Sequence, residues 1–206
     1  MKQFIWVSLL LSSLQLAGCQ GQVEQTATVE QPADTTAAIV PSSAPADALA
    51  GIRLRQRALP DVGVALCFPA TWRVEPRQEK AGRVWVSAMA CPTSVPFCAN
   101  YVVNAVPLQT GASLDTYSSY YLTYLEKKYP VYKLIKVSRA LVNGLNGRVI
   151  DYIYQENNHN LGGTVALLQV ADSVVVLNFA ALNEPEGEYV RYRGLFERVI
   201  SSVKAL

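Results

Sequence analysis

Histidine is almost missing from this chain: His159 is the only one in 206 residues. A Ser-His-Asp constellation would have to be built on it, and no Gly-x-Ser-x-Gly turn accompanies it. CxxC pairs, glycine-rich phosphate loops and paired histidines are absent as well, so the usual marks of redox, nucleotide and metal-hydrolase chemistry are not there. Charge is scarce at 17%, with 18 bases against 16 acids. That balance is too even and too diffuse for a nucleic-acid footprint, and no nucleic-acid partner is expected. No cofactor and no metal site is expected either. Half of the residues are apolar, so a packed core is expected rather than general disorder.

What is present begins at the first residue. Lys2 supplies a short positive start, and Phe4 to Leu16 form an apolar run broken by serines and a glutamine. It is too short for a comfortable bilayer crossing and suits a signal peptide better. The run ends in Leu16-Ala17-Gly18-Cys19, which resembles the lipobox of bacterial lipoproteins. That resemblance implies cleavage before Cys19, a diacylglycerol thioether on its thiol and often an acylated amino group; an ordinary signal peptide with an accidental cysteine is the alternative. Two or more acyl chains make a stable anchor at about 0.8 kcal/mol per buried methylene. Gln20 stands where the family's inner-membrane retention signal usually has aspartate. The lean is therefore toward the outer membrane, facing the periplasm.

From Gln20 to about Ala50 no aromatic residue occurs, and Pro, Ala, Thr, Ser, Gln and Glu dominate. Glu24, Glu30, Asp34 and Asp47 fall before Gly51 and Lys2 is the only base there, leaving 17 of the 18 bases and 12 of the 16 acids for the rest. Such a stretch cannot bury enough apolar surface to offset its ordering entropy. As a flexible coil it would span roughly 30 Å on average and reach about 105 Å when extended. It reads as a tether, or as a segment that orders on a partner. The expected organisation is a signal peptide over 1–18, a lipidated cysteine and tether over 19–50, and one globular domain over 51–206.

Beyond Gly51 the patterning changes. Val62–Phe68 reads as a strand ended by Pro69, Thr71–Val74 as a short extended piece, and Arg83–Met89 and Tyr101–Val106 as a natural pair. Ser113 is a good N-cap for a helix whose Leu114, Tyr117, Tyr121 and Leu125 recur at helical spacing, with Pro130 closing it. Four more strands follow at about 132–142, 147–155, 163–170 and 173–182. Asn143-Gly144 and Ala171-Asp172 mark tight turns, and Asn157–Gly163 a wider loop. The last element is a helix from about Pro185 with Tyr189, Tyr192, Phe196, Val199, Ile200 and Val203 on its inner face. Grouped strands with one inserted and one terminal helix predict an α+β fold with a mostly antiparallel sheet flanked by helices.

The order of these marks resembles a known family. Cys67-Phe68-Pro69-Ala70-Thr71-Trp72 is similar to the strand-Pro-x-x-Trp opening of PsbP-like domains, including the DcrB-type bacterial lipoproteins. Ser113-Leu114-Asp115-Thr116-Tyr117, Asn143-Gly144-Leu145-Asn146-Gly147 and Phe196–Lys204 continue the match over Val62 to Lys204. The resemblance implies an α/β/α sandwich. It also implies binding or assembly rather than catalysis, since the fold carries no shared catalytic set; this is an argument by analogy.

Few residues remain as candidates. His159, beside Glu156 in a polar loop, reads either as a ligand or base or as a solvated hairpin residue. Tyr117, Tyr121 and Tyr124 are expected against the sheet, and Tyr120 either at a contact surface or packed at the sheet edge. Lys127 and Lys128 suit a helix C-terminus; with Lys133 and Lys136 they form a basic face that is either solvated or drawn to phosphate or lipid headgroups. Among the thiols, an exported domain favours a disulfide. Cys91 and Cys98 are expected to pair across a hairpin base, with Cys67 reduced and buried; Cys67–Cys91 is the rival. The expected function is a non-enzymatic binding or assembly module, held to a membrane by its lipid anchor and served by an envelope protein partner. The alternative is an envelope enzyme acting on wall or lipid material.

Overall fold

The computed structural model describes residues 51–79, 82–90, 95–183 and 188–206. Seven strands form the main sheet: β3 (Arg73–Glu79), β4 (Gly82–Ala88), β5 (Asn100–Pro107), β6 (Tyr132–Val142), β7 (Leu145–Glu156), β8 (His159–Val170) and β9 (Ser173–Leu182). Their spatial order is β3-β4-β5-β9-β8-β7-β6. A smaller sheet is built from β1 (Leu54–Leu59), β2 (Val64–Pro69) and the two-residue β10 (Lys204–Ala205), with β2 in the middle. Every strand pairing among the described residues is antiparallel. Two helices complete the set, α1 (Leu114–Lys128) and α2 (Glu188–Ser201). The fold is α+β, as the grouping of strands predicts.

Successive residues of a strand point to opposite faces, and this alternation builds two cores. In β9, Val175, Leu177 and Phe179 face α2 and the small sheet, together with Phe196, Leu66 and Trp72. Val174 and Val176 face α1, where they join Tyr121 and Leu125 of that helix and Tyr152 and Tyr154 from β7. Both faces of β8 are covered, so Leu161 to Leu168 are buried without a break. Those strands read as continuous apolar runs because each face is buried.

α1 starts as expected. The Ser113 side chain accepts a hydrogen bond from the Thr116 N–H at 3.1 Å, Asp115 lies in the first turn, and Lys127 and Lys128 occupy the last. These charges complement the helix dipole. Asn143 (φ 47°) and Gly144 (φ 85°) make the tight turn between β6 and β7.

Three expectations need correction, and one sheet was not foreseen. Residues 157–163 are not a wide loop: Asn157 (φ 51°) and Asn158 (φ 63°) make a two-residue turn, and β8 begins at His159, paired with Glu156. The glycines that suggested a loop sit inside the strand, because the rings of Tyr189 and Tyr152 occupy the space a Cβ at Gly162 and Gly163 would fill. Thr71–Val74 is not one extended piece; Trp72 sits in a turn closed by its N–H to the Pro69 carbonyl at 3.0 Å, and the strand starts at Arg73. The small sheet was not anticipated, since β1 (LRQRAL) is exposed at most positions and carries no clear alternation. Cys67 is half-buried rather than buried, because β2 turns Leu66 and Phe68 to the core and Cys67 to the other face. Pro185, the expected helix start, lies outside the described residues.

Candidate interaction surface

The sites expected to carry covalent chemistry fall largely outside the described residues: Cys19 and Cys91 both do. Cys98 is half-buried just ahead of β5 and engaged rather than free, whereas Cys67 is a free thiol. Around Cys67 the backbone is fixed: its N–H donates to Ser202 Oγ at 2.8 Å, and its carbonyl accepts from the Tyr101 hydroxyl at 3.3 Å.

The structure separates the four lysines of the basic stretch. Lys128 ends α1 and lies over the rings of Tyr129, at 4.8 Å, and Tyr124, at 5.8 Å. Burial pushes its ammonium below the ordinary lysine range, while Glu156 and Glu79 pull it back. With Tyr129, Val131, Glu156, Asn157 and Asn158, Lys128 lines a shallow depression of about 320 Å³ at the end of the β7–β8 hairpin. His159 stands one residue beyond the turn, half-buried. Among the described residues no three His, Cys, Asp or Glu side chains gather as metal ligands do. Lys133 and Lys136 are exposed on β6, the outermost strand of the main sheet.

β6 has a second property that the pattern of lysines did not signal. Val131, just ahead of it, and Leu134, Ile135, Val137 and Leu141 within it are exposed. The register with β7 shifts between Leu134 and Lys136, so Ile135 is a bulge. On α1, Tyr121 is buried, Tyr117 and Tyr124 are half-buried, and Tyr120 is 54% exposed. Tyr120 therefore stands at the surface, with its ring 6.3 Å from that of Tyr117.

A buried polar network escaped the sequence reading. Asp151, on β7, is 4% exposed. Its Oδ1 accepts from Thr164 Oγ1 at 2.8 Å and from the Tyr189 hydroxyl at 3.2 Å, and its Oδ2 pairs with Arg193 at 2.8 Å. Arg193 also reaches Glu197, one helical turn on, at 3.6 Å. The available signal was an aspartate inside the apolar run Val149-Ile150-Asp151-Tyr152, because a carboxylate in such a place requires hydrogen-bonded partners.

Tyrosine is the commonest aromatic, with 11 residues, and burial governs its acidity. Desolvation raises Tyr117 and Tyr124 to about 12, with neighbouring tyrosines adding to it. The same cause lifts fully buried Tyr121 and Tyr152 well above the usual value. These side chains are packing groups that stay protonated at neutral pH.

This arrangement is an antiparallel sheet between helices, with an outer strand mixing bases and exposed apolar groups. The same fold occurs in the cyanobacterial PsbP protein CyanoP of Synechocystis (TM-score 0.58, 11% identity, 74% of this chain and 92% of that one). It also occurs in the Saccharomyces cerevisiae Ran-binding protein Mog1p (0.55, 10%, 75% and 96%). A third case is Mycobacterium tuberculosis LpqN, described as involved in cell envelope biogenesis (0.51, 16%, 75% and 91%). At such identities the likeness is one of fold, and the class is PsbP/Mog1-like α+β. No curated protein matches the chain by sequence. The DcrB family model, however, matches residues 66–186, more than half of the chain. The chain belongs to the DcrB family.

Proposed function

We propose that this chain is a lipid-anchored, non-enzymatic binding or assembly module of the bacterial cell envelope, held by acylated Cys19 and facing the periplasm from the outer membrane. The observation that carries this reading is a DcrB domain placed behind a Leu16-Ala17-Gly18-Cys19 box and an aromatic-free segment. Among the described residues no helix is long and apolar enough to cross a membrane, and the acyl chains of Cys19 would supply the attachment. The segment 20–50 is the tether that joins the acylated cysteine to the domain.

Binding is favoured over catalysis because the buried carboxylate of the fold, Asp151, is committed to structural partners. Asp151 is held by Thr164, Tyr189 and Arg193, and burial keeps the tyrosines protonated. A Cys91–Cys98 disulfide belongs to the same reading. β4 and β5 are antiparallel with Ala88 opposite Asn100, and the Met89 N–H donates to the Ala99 carbonyl at 3.2 Å. The chain therefore leaves and re-enters the pair at adjacent points. The partner is an envelope protein.

Replacing Cys19 with Ala and fractionating the cells tests the anchor. The wild type should take up labelled fatty acid and stay with membranes, and the variant should do neither. Membrane retention by the variant, with no label on the wild type, overturns the reading. Cross-linking of the lipidated protein in its own envelope should then yield one stoichiometric protein partner.

A further inference from the structure

Between Glu126 and Asp151 the chain carries six bases and no acid, and three of them, Lys133, Lys136 and Arg139, fall on β6, an outer edge of the main sheet. Leu134 is opposite Tyr152, and Val137 is opposite Ile150. Directly opposed residues share a face, so Leu134 and Val137 lie on the α1 side, where they remain 43% and 40% exposed. Ile135 at the bulge is 51% exposed and Leu141 is 68% exposed. Lys133, opposite Ile153, and Lys136, opposite Asp151, are exposed at the same edge but lean to the α2 side.

We propose that β6 is the edge on which the domain rests against an anionic phospholipid surface. Leu134, Ile135, Val137 and Leu141 reach the acyl boundary, and Lys133 and Lys136 meet the headgroup phosphates. Charge complementarity selects this occupant. A strand that carries three bases, no acid of its own and four exposed apolar side chains fits a negatively charged interface, which attracts each nearby base and accepts apolar groups beside it. A second copy pairing along β6 would set lysines and Arg139 against lysines and Arg139, and like charges facing across strands repel. An added peptide strand needs a regular row of backbone groups, and a bulge with lysines is how edge strands block such pairing. A lipid surface requires no backbone register. The proposal deepens the anchored-module reading and rests on it only for how the domain reaches the bilayer.

The test uses the full lipidated protein with two vesicle types, phosphatidylcholine alone and a three-to-one mixture of phosphatidylcholine with phosphatidylglycerol. Flotation reads attachment, and amide hydrogen exchange across 131–141 reads docking. The expected result is flotation with both vesicles, with extra protection of 131–141 only on the anionic ones and its loss at high salt. Lys133→Glu with Lys136→Glu should weaken docking by about thirtyfold or more, returning exchange to the phosphatidylcholine level while flotation persists. Leu141→Ser, at a surface position, should reduce the protection in part. Flotation with both vesicles and identical exchange on each would overturn docking and leave the anchor intact. Flotation with anionic vesicles alone, abolished by the lysine reversals, would uphold docking and overturn the anchor. Flotation with neither would overturn both. Protection that grows with protein concentration in the absence of lipid would assign the edge to a second copy or another chain and reject the lipid surface.

Discussion

Gly162 lies under the ring of Tyr189 so closely that a Cβ on it would overlap the tyrosine Cγ. The contact is central to the α2 face, because the same ring carries the hydroxyl that bonds Asp151, Thr164 and the Gly163 carbonyl. Gly162→Ala must therefore shift the ring and strain the network beneath it. Equilibrium urea unfolding should show a loss of about 1–3 kcal/mol, the usual cost of overpacking. Combining it with Tyr189→Ala should recover part of that loss, since the two residues are in contact and their effects are not additive. Purely additive losses would mean that the ring does not set the requirement for glycine.

That pair also shows where the sequence was legible. Local signals read correctly wherever the cause is local: Ser113 caps α1 with its own side chain, and Asn143-Gly144 turns because its backbone tolerates positive φ. Gly162 and Gly163 misled because their reason lies elsewhere, in aromatic rings arriving from α2 and β7. β1 escaped because Arg55, Gln56 and Arg57 are exposed and the strand is defined by its partner β2. In α2 the inner face was legible except for Leu195, which is 1% exposed. On β6 the lysines were legible, but the exposure of the apolar residues among them depends on the strand ending the sheet.

Replacing Asp151 with Ala should cost about 2 kcal/mol. A buried acceptor is lost and the Tyr189 and Thr164 hydroxyls lose a partner, while Arg193, being one-third exposed, recovers some solvation and moderates the penalty. Chemical denaturation measures the loss. Asp151→Asn should cost less, because its amide oxygen can still accept from the hydroxyls. Equal losses for both would place the whole effect in the ion pair with Arg193.

Alkaline pH should unfold the domain. The pKa values of Tyr117 and Tyr124 are raised from 10.0 to about 12 by burial. In the unfolded chain they ionise near 10 and in the folded one only later, so above pH 10 the unfolded state binds fewer protons and stability falls as pH rises. Their contribution is fully present below pH 10 and is lost between 10 and about 12. Ultraviolet titration of phenolate absorbance should show these rings ionising late in the native protein, together with the loss of ellipticity. Ordinary ionisation near 10 of all 11 tyrosines, with the fold intact, would contradict the packing of α1 on the sheet.

The proposed Cys91–Cys98 disulfide closes a loop of about eight residues, which the chain-entropy model values at roughly 2.5 kcal/mol less any strain. Peptide mass mapping of unreduced protein should give one crosslink containing both cysteines, with half-buried Cys67 alkylated only slowly while the protein is folded. A crosslink through Cys67 would reject the assignment.

β1 is where the chain ahead of Gly51 passes any pull to the domain. It is an outer strand of the small sheet, paired with β2 from Leu54 opposite Pro69 to Leu59 opposite Val64. The Arg53 carbonyl accepting the Ala70 N–H at 2.8 Å lies at the open end of that hairpin. Tension entering from the N-terminal side first meets Ile52, packed on the core with its carbonyl accepting from Arg198 at 3.4 Å, and then opens β1 from β2 one hydrogen bond at a time, a peeling geometry with low resistance at each step. β2 is also held by β10 on its other edge and by the Cys67 N–H bond to Ser202. A mechanical load would thus remove β1 before the seven-stranded sheet feels it, making the first strand a compliant joint between whatever holds the chain and the rigid body behind it.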